Sequence, residues 1–358
     1  MPKKDIVRVV VCDDSLVARE MLSTILASDD AIEVVGQAKD GVEAVEMVAR
    51  LRPDLVTMDI HMPRMDGLKA TEQIMAFNPT PILVVSTSVY GEGMGLAFEA
   101  LTFGALDVVK KPEPSDWAEL EAIGKDLIRK VKLLANVRVI THIQGRRERA
   151  AEHLASISDT RGRTIVAIGS STGGPSALLT VLSGLPAKLP AAVVVAQHIA
   201  DGFIPGLVSW LEESTQNRVV AAEDGQLIEV GTVYFAPTGC NLSVRGDRLV
   251  FEAKPPEQLY VPSVDRLFES VTTSYGRRAI GVLLTGMGAD GARGLKRMRE
   301  AGGATICQDE GTSTVFGMPK AAIEAGAADQ VLAMEDIGAA VVELLGKPAA
   351  DPLRPSFS

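Results

Sequence analysis

The sequence has few residues of the kinds that build disulfide frameworks, metal clusters or aromatic cores. Its three cysteines, Cys12, Cys240 and Cys307, are odd in number and far apart among 358 residues. This spacing fits neither a disulfide framework nor an ordinary zinc site. Aromatic residues make up only 4% of the chain, whereas hydrophobic residues make up 46%. The core must therefore be built mainly from aliphatic side chains.

Long apolar runs and an excess of positive charge are also missing. No apolar stretch is long enough to span a bilayer. The positively charged start meets carboxylates before any long apolar stretch, which is typical of a first strand rather than a signal peptide. The formal net charge of −10 disfavours a nucleic-acid binder, which needs basic patches to meet phosphates. We expect a reduced, cytoplasmic protein of about two domains, with no nucleic-acid partner and no membrane insertion.

Short apolar strand patterns alternate with helical patterns in two stretches of the chain. In the first stretch the predicted strands are Val7–Cys12, Glu33–Gly36, Asp54–Met58, Pro81–Val85 and Ala105–Val109. In the second stretch they are Thr164–Ile168, Ala192–Ala196, Thr232–Phe235, Ala279–Leu284 and Ala304–Cys307. Strands that alternate with helices predict parallel sheets with helices on both faces. The expected fold class is α/β, with two doubly wound parallel-sheet domains.

A charged segment separates the two stretches, and a hairpin interrupts the second. No strand pattern follows Ile140 until the second stretch begins, and a run of charges at 146–149 predicts a solvated, partly helical linker. Two short strand patterns flank Arg245-Gly246-Asp247-Arg248, which predicts a small antiparallel insertion. The expected division of the chain is a first domain at 5–125, a linker at 126–162, a second domain at 163–346 and a tail at 347–358.

Acidic residues, a hydroxyl and a lysine follow the predicted strands of the first domain. Asp13 and Asp14 follow the first strand, Asp59 the third, Ser86 the fourth and Lys111 the fifth. Ligands of doubly wound sheets bind at the carboxyl ends of the strands, so these side chains are expected to converge. Carboxylates can hold Mg²⁺, an aspartate can accept a phosphoryl group, and a lysine supplies charge for phosphoryl oxygens. Taken singly, Asp14 could be a helix cap and Lys111 a solvated charge.

Residues 5–125 resemble the response-regulator receiver family, which has a flavodoxin-like fold. The resemblance is carried by the segment MDIHMPRMDG and by the strand-end residues Asp13-Asp14, Asp59, Ser86 and Lys111-Pro112. Val108 departs from the family pattern, because many receivers carry an aromatic switch residue at this position.

The receiver resemblance assigns a role to each strand-end residue. It implies that Asp59 is the phosphoacceptor. It implies that Asp13, Asp14 and Asp59 hold Mg²⁺ for phosphorylation, and that Ser86 and Lys111 sense the phosphoryl group. A histidine kinase is the expected phosphodonor.

A glycine-rich turn follows the first strand of the second domain. Gly169-Ser170-Ser171-Thr172-Gly173 is a G-x-S-x-G pattern, typical of a nucleophile elbow whose glycines permit a sharp strand-to-helix turn. Two alternatives stay open, a turn that cradles a phosphate and a turn with a structural role only. The phosphate alternative is weakened because this turn has neither the G-x-G-x-x-G pattern nor a Walker lysine.

A serine nucleophile needs a base and a carboxylate that orients the base. Of the four histidines in the chain, only His198 falls in the second domain, directly after a predicted strand. Asp290 lies in the glycine-rich segment TGMGADG; alternatively, it caps the helix predicted to start near Ala292. The chain order Ser, His, Asp differs from the order in α/β-hydrolases, which disfavours that fold.

Residues 163–336 resemble the catalytic domain of the chemotaxis protein-glutamate methylesterases, the CheB family. The segments that carry the resemblance are AIGSSTGGP, VVVAQHIADGF, PSVDRLFES, LLTGMGADGA and VFGMPKAAIEAGAAD. The order of receiver, linker and esterase is also similar to that family. The resemblance implies Ser171 as nucleophile, His198 as base and Asp290 as its orienter. It further implies Thr172 as a supporting hydroxyl and the Met287 backbone N–H as an oxyanion donor.

The implied reaction is hydrolysis of glutamyl γ-methyl esters on methyl-accepting chemotaxis receptors, with release of methanol. Phosphorylation by a chemotaxis histidine kinase is expected to activate this reaction. Deamidation of receptor glutamines is expected as well. No metal is expected in the esterase step. Recruitment of the cytoplasmic protein to receptor arrays is compatible with the resemblance. The main alternative is a response regulator whose second domain only binds a partner or ligand. A DNA-binding output would need a basic recognition helix, which the sequence lacks.

Overall fold

The structure is a computed structural model in which the described residues are 6–86, 94–112, 117–139, 165–255, 258 and 260–346. The chain divides into two compact units, Met1–Gly145 and Arg146–Ser358, called the N-terminal and the C-terminal unit below. Most of the expected linker, with His142 and His153, and the expected tail lie outside the described residues. In the described part, no helix combines the length and apolarity needed to cross a membrane.

Five strands and five helices alternate in the described part of the N-terminal unit. The strands are β1 (Val7–Cys12), β2 (Ile32–Ala38), β3 (Leu55–Met58), β4 (Ile82–Ser86) and β5 (Asp107–Lys110). The helices are α1 (Leu16–Ala27), α2 (Gly41–Leu51), α3 (Gly67–Phe77), α4 (Met94–Thr102) and α5 (Trp117–Leu134). The sheet order is β2-β1-β3-β4-β5, and all pairs are parallel. This order is flavodoxin-like, as expected, and its switch point lies between β1 and β3.

Polar residues start the first three helices, and aliphatic residues fill the core. The side chains of Ser15, Asp40 and Asp66 accept hydrogen bonds from backbone N–H groups of the first turns of α1, α2 and α3. Such caps satisfy amides that have no partner within the helix. The largest share of the core on one sheet face comes from valine and leucine, among them Val9 and Leu83. The prediction of an aliphatic core is confirmed for this unit.

The C-terminal unit contains a seven-stranded parallel sheet. Its strands in chain order are β6 (Ile165–Ser170), β7 (Ala192–Gln197), β8 (Arg218–Ala221), β9 (Thr232–Phe235), β12 (Ala279–Leu283), β13 (Ala304–Gln308) and β14 (Gln330–Leu332). The helices are α6 (Gly174–Ser183), α7 (Ile204–Ser214), α8 (Val264–Tyr275), α9 (Ala292–Glu300), α10 (Met318–Glu324) and α11 (Met334–Gly346). The sheet order is β14-β13-β12-β6-β7-β9-β8. The prediction of a second parallel α/β sheet is confirmed.

The expected antiparallel insertion is a two-stranded hairpin between β9 and α8. It consists of β10 (Asn241–Arg245) and β11 (Arg248–Glu252), paired antiparallel. Gly246 in its turn has a φ of 61°, a conformation that glycine adopts without steric cost.

The central strands of the large sheet determine where a site can form. Every residue of β6, β7 and β12 is buried. Because β6 comes first in the chain and pairs with β7 on one side and β12 on the other, the sheet reverses direction of winding at β6. Ligands of open α/β sheets bind at the carboxyl ends of strands at such a switch point. The residues that follow these three strands are therefore the candidates for a functional site.

Candidate functional sites

Lys111 forms the centre of a buried charge cluster in the N-terminal unit. Its Nζ lies 2.6 Å from Asp13 Oδ2 and 2.9 Å from Asp59 Oδ2. These residues follow β5, β1 and β3, so the predicted convergence of strand-end side chains is present here. Burial by itself would lower the pKa of the Lys111 ammonium, but its hydrogen bonds and charge interactions with Asp13 and Asp59 raise it above the ordinary value. Lys111 therefore carries a positive charge beside Asp59 at neutral pH.

Three carboxylates in this cluster can share one cation. Oxygens of Asp13, Asp14 and Asp59 all lie within 4.8 Å of one another, with Asp14 exposed and the other two buried. Oxygen ligands in this number, with one side open to water, suit Mg²⁺, which keeps several waters when it binds proteins. Ser86 is buried at the end of β4, and its backbone carbonyl accepts a hydrogen bond from the Lys111 backbone N–H at 2.9 Å.

The backbone around Asp59 is held by local contacts. The Ile60 backbone N–H donates to Asp59 Oδ1 at 2.9 Å, and the Gly67 N–H donates to the Ile60 carbonyl at 2.9 Å. A Cβ at position 67 would clash with the Asp59 carbonyl oxygen, so only glycine fits there. Val108 stands at the position where many receivers carry an aromatic switch residue. It is buried in β5 opposite Val84.

In the C-terminal unit, Ser171 and His198 each follow the end of a central strand. Ser170 and Gln197, the last residues of β6 and β7, pair in register. Beyond them, the His198 backbone N–H donates to the Ser170 carbonyl at 3.0 Å. The Ser171 N–H donates to the Thr285 carbonyl at 3.0 Å, which links the turn to the loop after β12. Ser171 and His198 are thus neighbours at the carboxyl edge.

The turn after Ser171 depends on two glycines. Gly173 has a φ of 75° and is the N-cap of α6, and a side chain in this left-handed conformation would be strained. A Cβ at Gly174 would clash with Gln197 Oε1. The chain therefore turns directly from β6 into α6, with the half-buried Ser171 at the bend, as in a nucleophile elbow.

The imidazole of His198 is oriented by a carboxylate and an aromatic ring. His198 Nε2 lies 3.0 Å from Asp290 Oδ2. Because a carboxylate accepts hydrogen bonds, Nε2 carries the proton of the neutral ring, which leaves a lone pair on Nδ1. That Nδ1 is buried and has no hydrogen-bond partner among the described residues. The ring of Tyr260 stacks on the imidazole, with 4.9 Å between centroids and 10° between planes.

The amides at the N-terminus of α8 hold the carboxylate of Asp290. Asp290 Oδ2 accepts from the Val264 N–H at 2.8 Å, and Oδ1 accepts from the Asp265 N–H at 3.0 Å and the Ser263 hydroxyl at 3.1 Å. Burial by itself would raise the pKa of Asp290, but the hydrogen bonds from His198 and from these amides lower it below the ordinary value. Asp290 is therefore a carboxylate at neutral pH.

The contacts of Asp290 differ from those of a residue that caps the helix starting near Ala292. That helix, α9, does start at Ala292, but its free amides are bound by Asp265. Asp265 Oδ1 accepts from the Gly291 N–H at 3.1 Å and from the Gly294 N–H at 2.7 Å. Asp290, which lies just before α9, thus binds the N-terminus of α8. In return, Asp265 of α8 binds the N-terminus of α9.

Thr172 belongs to the Ser171 turn, and Met287 lies in the loop after β12 that contacts this turn. Thr172 is buried, and its carbonyl accepts a hydrogen bond from the Thr285 hydroxyl at 3.0 Å. A Cβ at Gly286 would lie 2.7 Å from Ser171 Cβ, so the backbone just before Met287 is in close contact with Ser171. This arrangement brings the backbone next to Met287, the expected oxyanion donor, close to Ser171.

Several residues of this site were not predicted from the sequence. They are Gln197, Tyr260, Ser263, Asp265 and Thr285. A glutamine at the end of the apolar strand AVVVAQ is an unusual polar residue in a buried position, and PSVD contains a serine where α8 begins. These two features are signals that sequence inspection could use. Tyr260 carries no such signal.

Comparisons with known proteins match a protein family to each unit of the chain. The model of the family described as "Response regulator receiver domain" matches residues 9–122. The model of the family described as "CheB methylesterase" matches residues 166–341. A protein-glutamate methylesterase/protein-glutamine glutaminase of Anaeromyxobacter dehalogenans is 45% identical over 338 residues, covering 94% of this chain and 97% of that protein. A protein of the same name from Geobacillus kaustophilus is 40% identical, covering 95% of this chain and 99% of that protein.

Among solved structures, the Thermotoga maritima CheB methylesterase catalytic domain is similar to part of this chain. It is 38% identical, covers 51% of this chain and 98% of its own, and has a TM-score of 0.48. The two full-length relatives decide the family, because each is similar to the chain along nearly its whole length. The chain belongs to the protein-glutamate methylesterase/protein-glutamine glutaminase family, with a receiver domain followed by a CheB methylesterase domain.

Proposed function

We propose that this chain hydrolyses glutamyl γ-methyl esters on methyl-accepting chemotaxis receptors and deamidates receptor glutamines, under control of phosphorylation at Asp59. The observation that carries the proposal is the His198–Asp290 pair, 3.0 Å apart, beside Ser171 at the switch point of the sheet. The names and identities of the full-length relatives support the choice of substrate.

The first half of the reaction forms an acyl-enzyme. Ser171 Oγ attacks the ester carbonyl carbon while His198 Nδ1 takes the hydroxyl proton. The C–OCH₃ bond then breaks, and His198 returns the proton to the leaving oxygen, so that methanol departs. Asp290 stays ionised throughout and stabilises the imidazolium through Nε2–H, as the carboxylate of a catalytic triad does.

The second half restores the serine. Water attacks the acyl carbon and gives a proton to His198 Nδ1, the bond to Ser171 Oγ breaks, and the serine takes that proton back. The receptor then carries a free glutamate. Glutamine deamidation follows the same steps, with ammonia leaving in place of methanol. Ammonia is a poorer leaving group than methanol, so we expect glutamine to be the slower substrate.

The negative charge that develops on the carbonyl oxygen needs hydrogen-bond donors. We assign the Met287 backbone N–H and the Thr172 hydroxyl to this role, because both lie at the Ser171 turn. Removing one such donor typically lowers kcat by about 10²–10³-fold. The esterase step uses only these protein groups, and no metal is proposed for it.

The N-terminal unit supplies the control. Asp13, Asp14 and Asp59 would hold Mg²⁺, which when bound neutralises charge on the phosphoryl oxygens during transfer. Asp59 accepts the phosphoryl group from a histidine kinase, and Lys111 and Ser86 then bind its oxygens. We infer that the unphosphorylated receiver restrains the esterase. A coupling of about 1–3 kcal/mol would give about 5–150-fold activation. The proposed domain boundaries remain 5–125 and 163–346.

Methanol release from methylated receptors tests the esterase assignment. The full chain should release methanol, and should release ammonia from receptors carrying glutamine at the same sites. Added EDTA should block activation by a phosphodonor and leave the basal rate unchanged. A second domain that only binds a partner predicts no methanol from the wild-type chain, and this outcome would refute the proposed function. Loss of the basal rate in EDTA would refute the metal-free mechanism.

A further inference from the structure

The side-chain amide of Gln197 bridges the two loops that carry Ser171 and His198. Gln197 Nε2 donates to the Ser171 carbonyl oxygen at 2.9 Å and to the His198 carbonyl oxygen at 2.8 Å. Sheet pairing between β6 and β7 ends at the pair formed by Ser170 and Gln197. One nitrogen therefore joins the two loops at the point where regular pairing between the strands stops.

A third contact sets the orientation of this amide. The Ser170 hydroxyl donates to Gln197 Oε1 at 2.5 Å. The reverse orientation would place Oε1 against two carbonyl oxygens, and all three atoms are acceptors. Gln197 is 1% exposed, and Gly174 packs against Oε1 so closely that a Cβ there would clash with it. The amide therefore has one orientation, and all its hydrogen-bonding groups are used.

We propose that Gln197 is a positioning residue of the proposed ester hydrolysis, setting the separation of Ser171 and His198 by holding both backbone carbonyls on one nitrogen. The inference rests on the proposed function. Gln197 acts through the backbone and contacts no reacting atom. Proton transfer from a nucleophile to its base needs a separation of about 2.6–3.2 Å, and a shift of about 1 Å can cost about 10²-fold in rate. The loss should therefore fall on kcat rather than on KM.

A role in stability alone makes a different prediction. A buried amide that only satisfies two carbonyls lowers stability when it is lost, but the folded fraction keeps its kcat. Asn217 provides the matched control within the same unit. Its side chain is 4% exposed and donates to the Pro186 carbonyl at 3.1 Å. It lies next to β8, one of the two edge strands of the sheet. Asn217→Leu removes a buried amide without touching the site.

The test compares Gln197→Met, Gln197→Glu and Asn217→Leu in the full chain. Methionine keeps a similar volume without hydrogen bonds, and glutamate keeps the acceptor but loses both donors. Each variant is assayed for kcat and KM of methanol release, for the rate at which a phosphonate probe labels Ser171, and for its thermal unfolding midpoint. Rates are normalised to the folded fraction.

For both Gln197 variants we expect kcat and the labelling rate to fall in parallel by about 10²-fold, with KM within about threefold of the wild-type value. Asn217→Leu should unfold at a lower temperature and keep the wild-type kcat. Folded Gln197 variants with wild-type kcat and labelling would overturn the inference. So would a loss that appears in KM alone.

Ser170→Ala covers the case in which neither Gln197 variant folds. It removes only the hydrogen bond that orients the amide, so we expect a smaller fall, of severalfold, in kcat and in labelling. Wild-type values for this variant would contradict the positioning role. The labelling rate also separates two failures. A wild-type chain that releases no methanol refutes the proposed function, whereas a labelling rate independent of Gln197 and Ser170 refutes only this inference.

Discussion

The two candidate sites occupy equivalent edges of parallel sheets but are built from opposite kinds of interaction. In the N-terminal unit, the cluster is made of buried charges, with Lys111 between Asp13 and Asp59. In the C-terminal unit, the loops around Ser171 are joined by neutral hydrogen bonds such as those of Gln197. The carboxylate of Asp290 is there bound by helix amides instead of by a cation.

This difference follows from what each site has to do. A phosphorylation site must accept about two negative charges, so a lysine held by carboxylates can exchange one partner for the phosphoryl oxygens. An acyl-transfer site gains rate when its groups are already in place, and uncharged hydrogen bonds to backbone hold them without competing charges. We conclude that the first site is built to change its contacts and the second to keep them.

The sharpest way to break the comparison is to remove the nucleophile. Ser171→Ala should lower kcat by about 10⁴-fold or more, because the covalent route is lost. His198→Ala should cost about as much, and the double variant no more than either, because the two residues act as one unit. Methanol release provides the rate, and circular dichroism checks that the fold is unchanged. Activity close to wild type in Ser171→Ala would remove the triad assignment.

Asp290→Asn should be nearly as damaging, by about 10⁴-fold, because an amide can hold the wrong tautomer of His198. Asp265→Asn provides the matched control. It alters the carboxylate that binds the amides at the N-terminus of α9 and does not contact His198. We expect Asp265→Asn to retain far more activity than Asp290→Asn. A loss of less than tenfold in Asp290→Asn would reduce Asp290 to a residue that supports the loop.

The N-terminal site could be predicted residue by residue, and the C-terminal site only in part. Asp13, Asp59 and Lys111 stand directly after strands, so locating the strands also locates the side chains. Asp290 lies well beyond the end of β12. Its position depends on the α8 amides of Val264 and Asp265, which precede it in the chain by 26 and 25 residues. Such long-range contacts leave no local pattern in a sequence.

The fold was predictable except at the two edges of the C-terminal sheet. All parallel central strands and the hairpin were predicted. The edge strands β8 and β14 were missed because they are short and partly exposed, so they lack the continuous apolar run that marks a buried strand. The three-sided contacts of Gln197 likewise follow from the register of β6 and β7, which the sequence does not specify.

Tyr260 offers a smaller test of how firmly the second site is held. Stacked rings contribute about 0.5–1.5 kcal/mol beyond their burial, so Tyr260→Ala should lower kcat by about 2–10-fold through a less constrained His198. Tyr260→Phe keeps the ring and should retain the wild-type rate. Steady-state kinetics of methanol release measure both variants. Equal losses in the two variants would assign the effect to the phenol hydroxyl rather than to stacking.

The smallest expected effect concerns stability in acid. The pKa of Asp290 is lower in the folded protein than the value of about 3.9 in an unfolded chain. Its contribution is therefore complete above that value and is lost as pH falls through the folded-state pKa. Asp290→Asn should flatten the dependence of the unfolding free energy on pH below about pH 4. Denaturant titrations from neutral pH to pH 3 measure this, and parallel curves for the two proteins would contradict it.

The central claim is that phosphorylation at Asp59 controls the rate of ester hydrolysis at Ser171. It is tested most directly by the rate of methanol release from methylated receptor, with and without a small-molecule phosphodonor and Mg²⁺, for the wild-type chain and for Asp59→Asn. We expect the phosphodonor to raise the wild-type rate by about 5–150-fold and to leave Asp59→Asn at the basal rate. Equal wild-type rates with and without the phosphodonor, in protein shown by mass spectrometry to be phosphorylated at Asp59, would contradict the account.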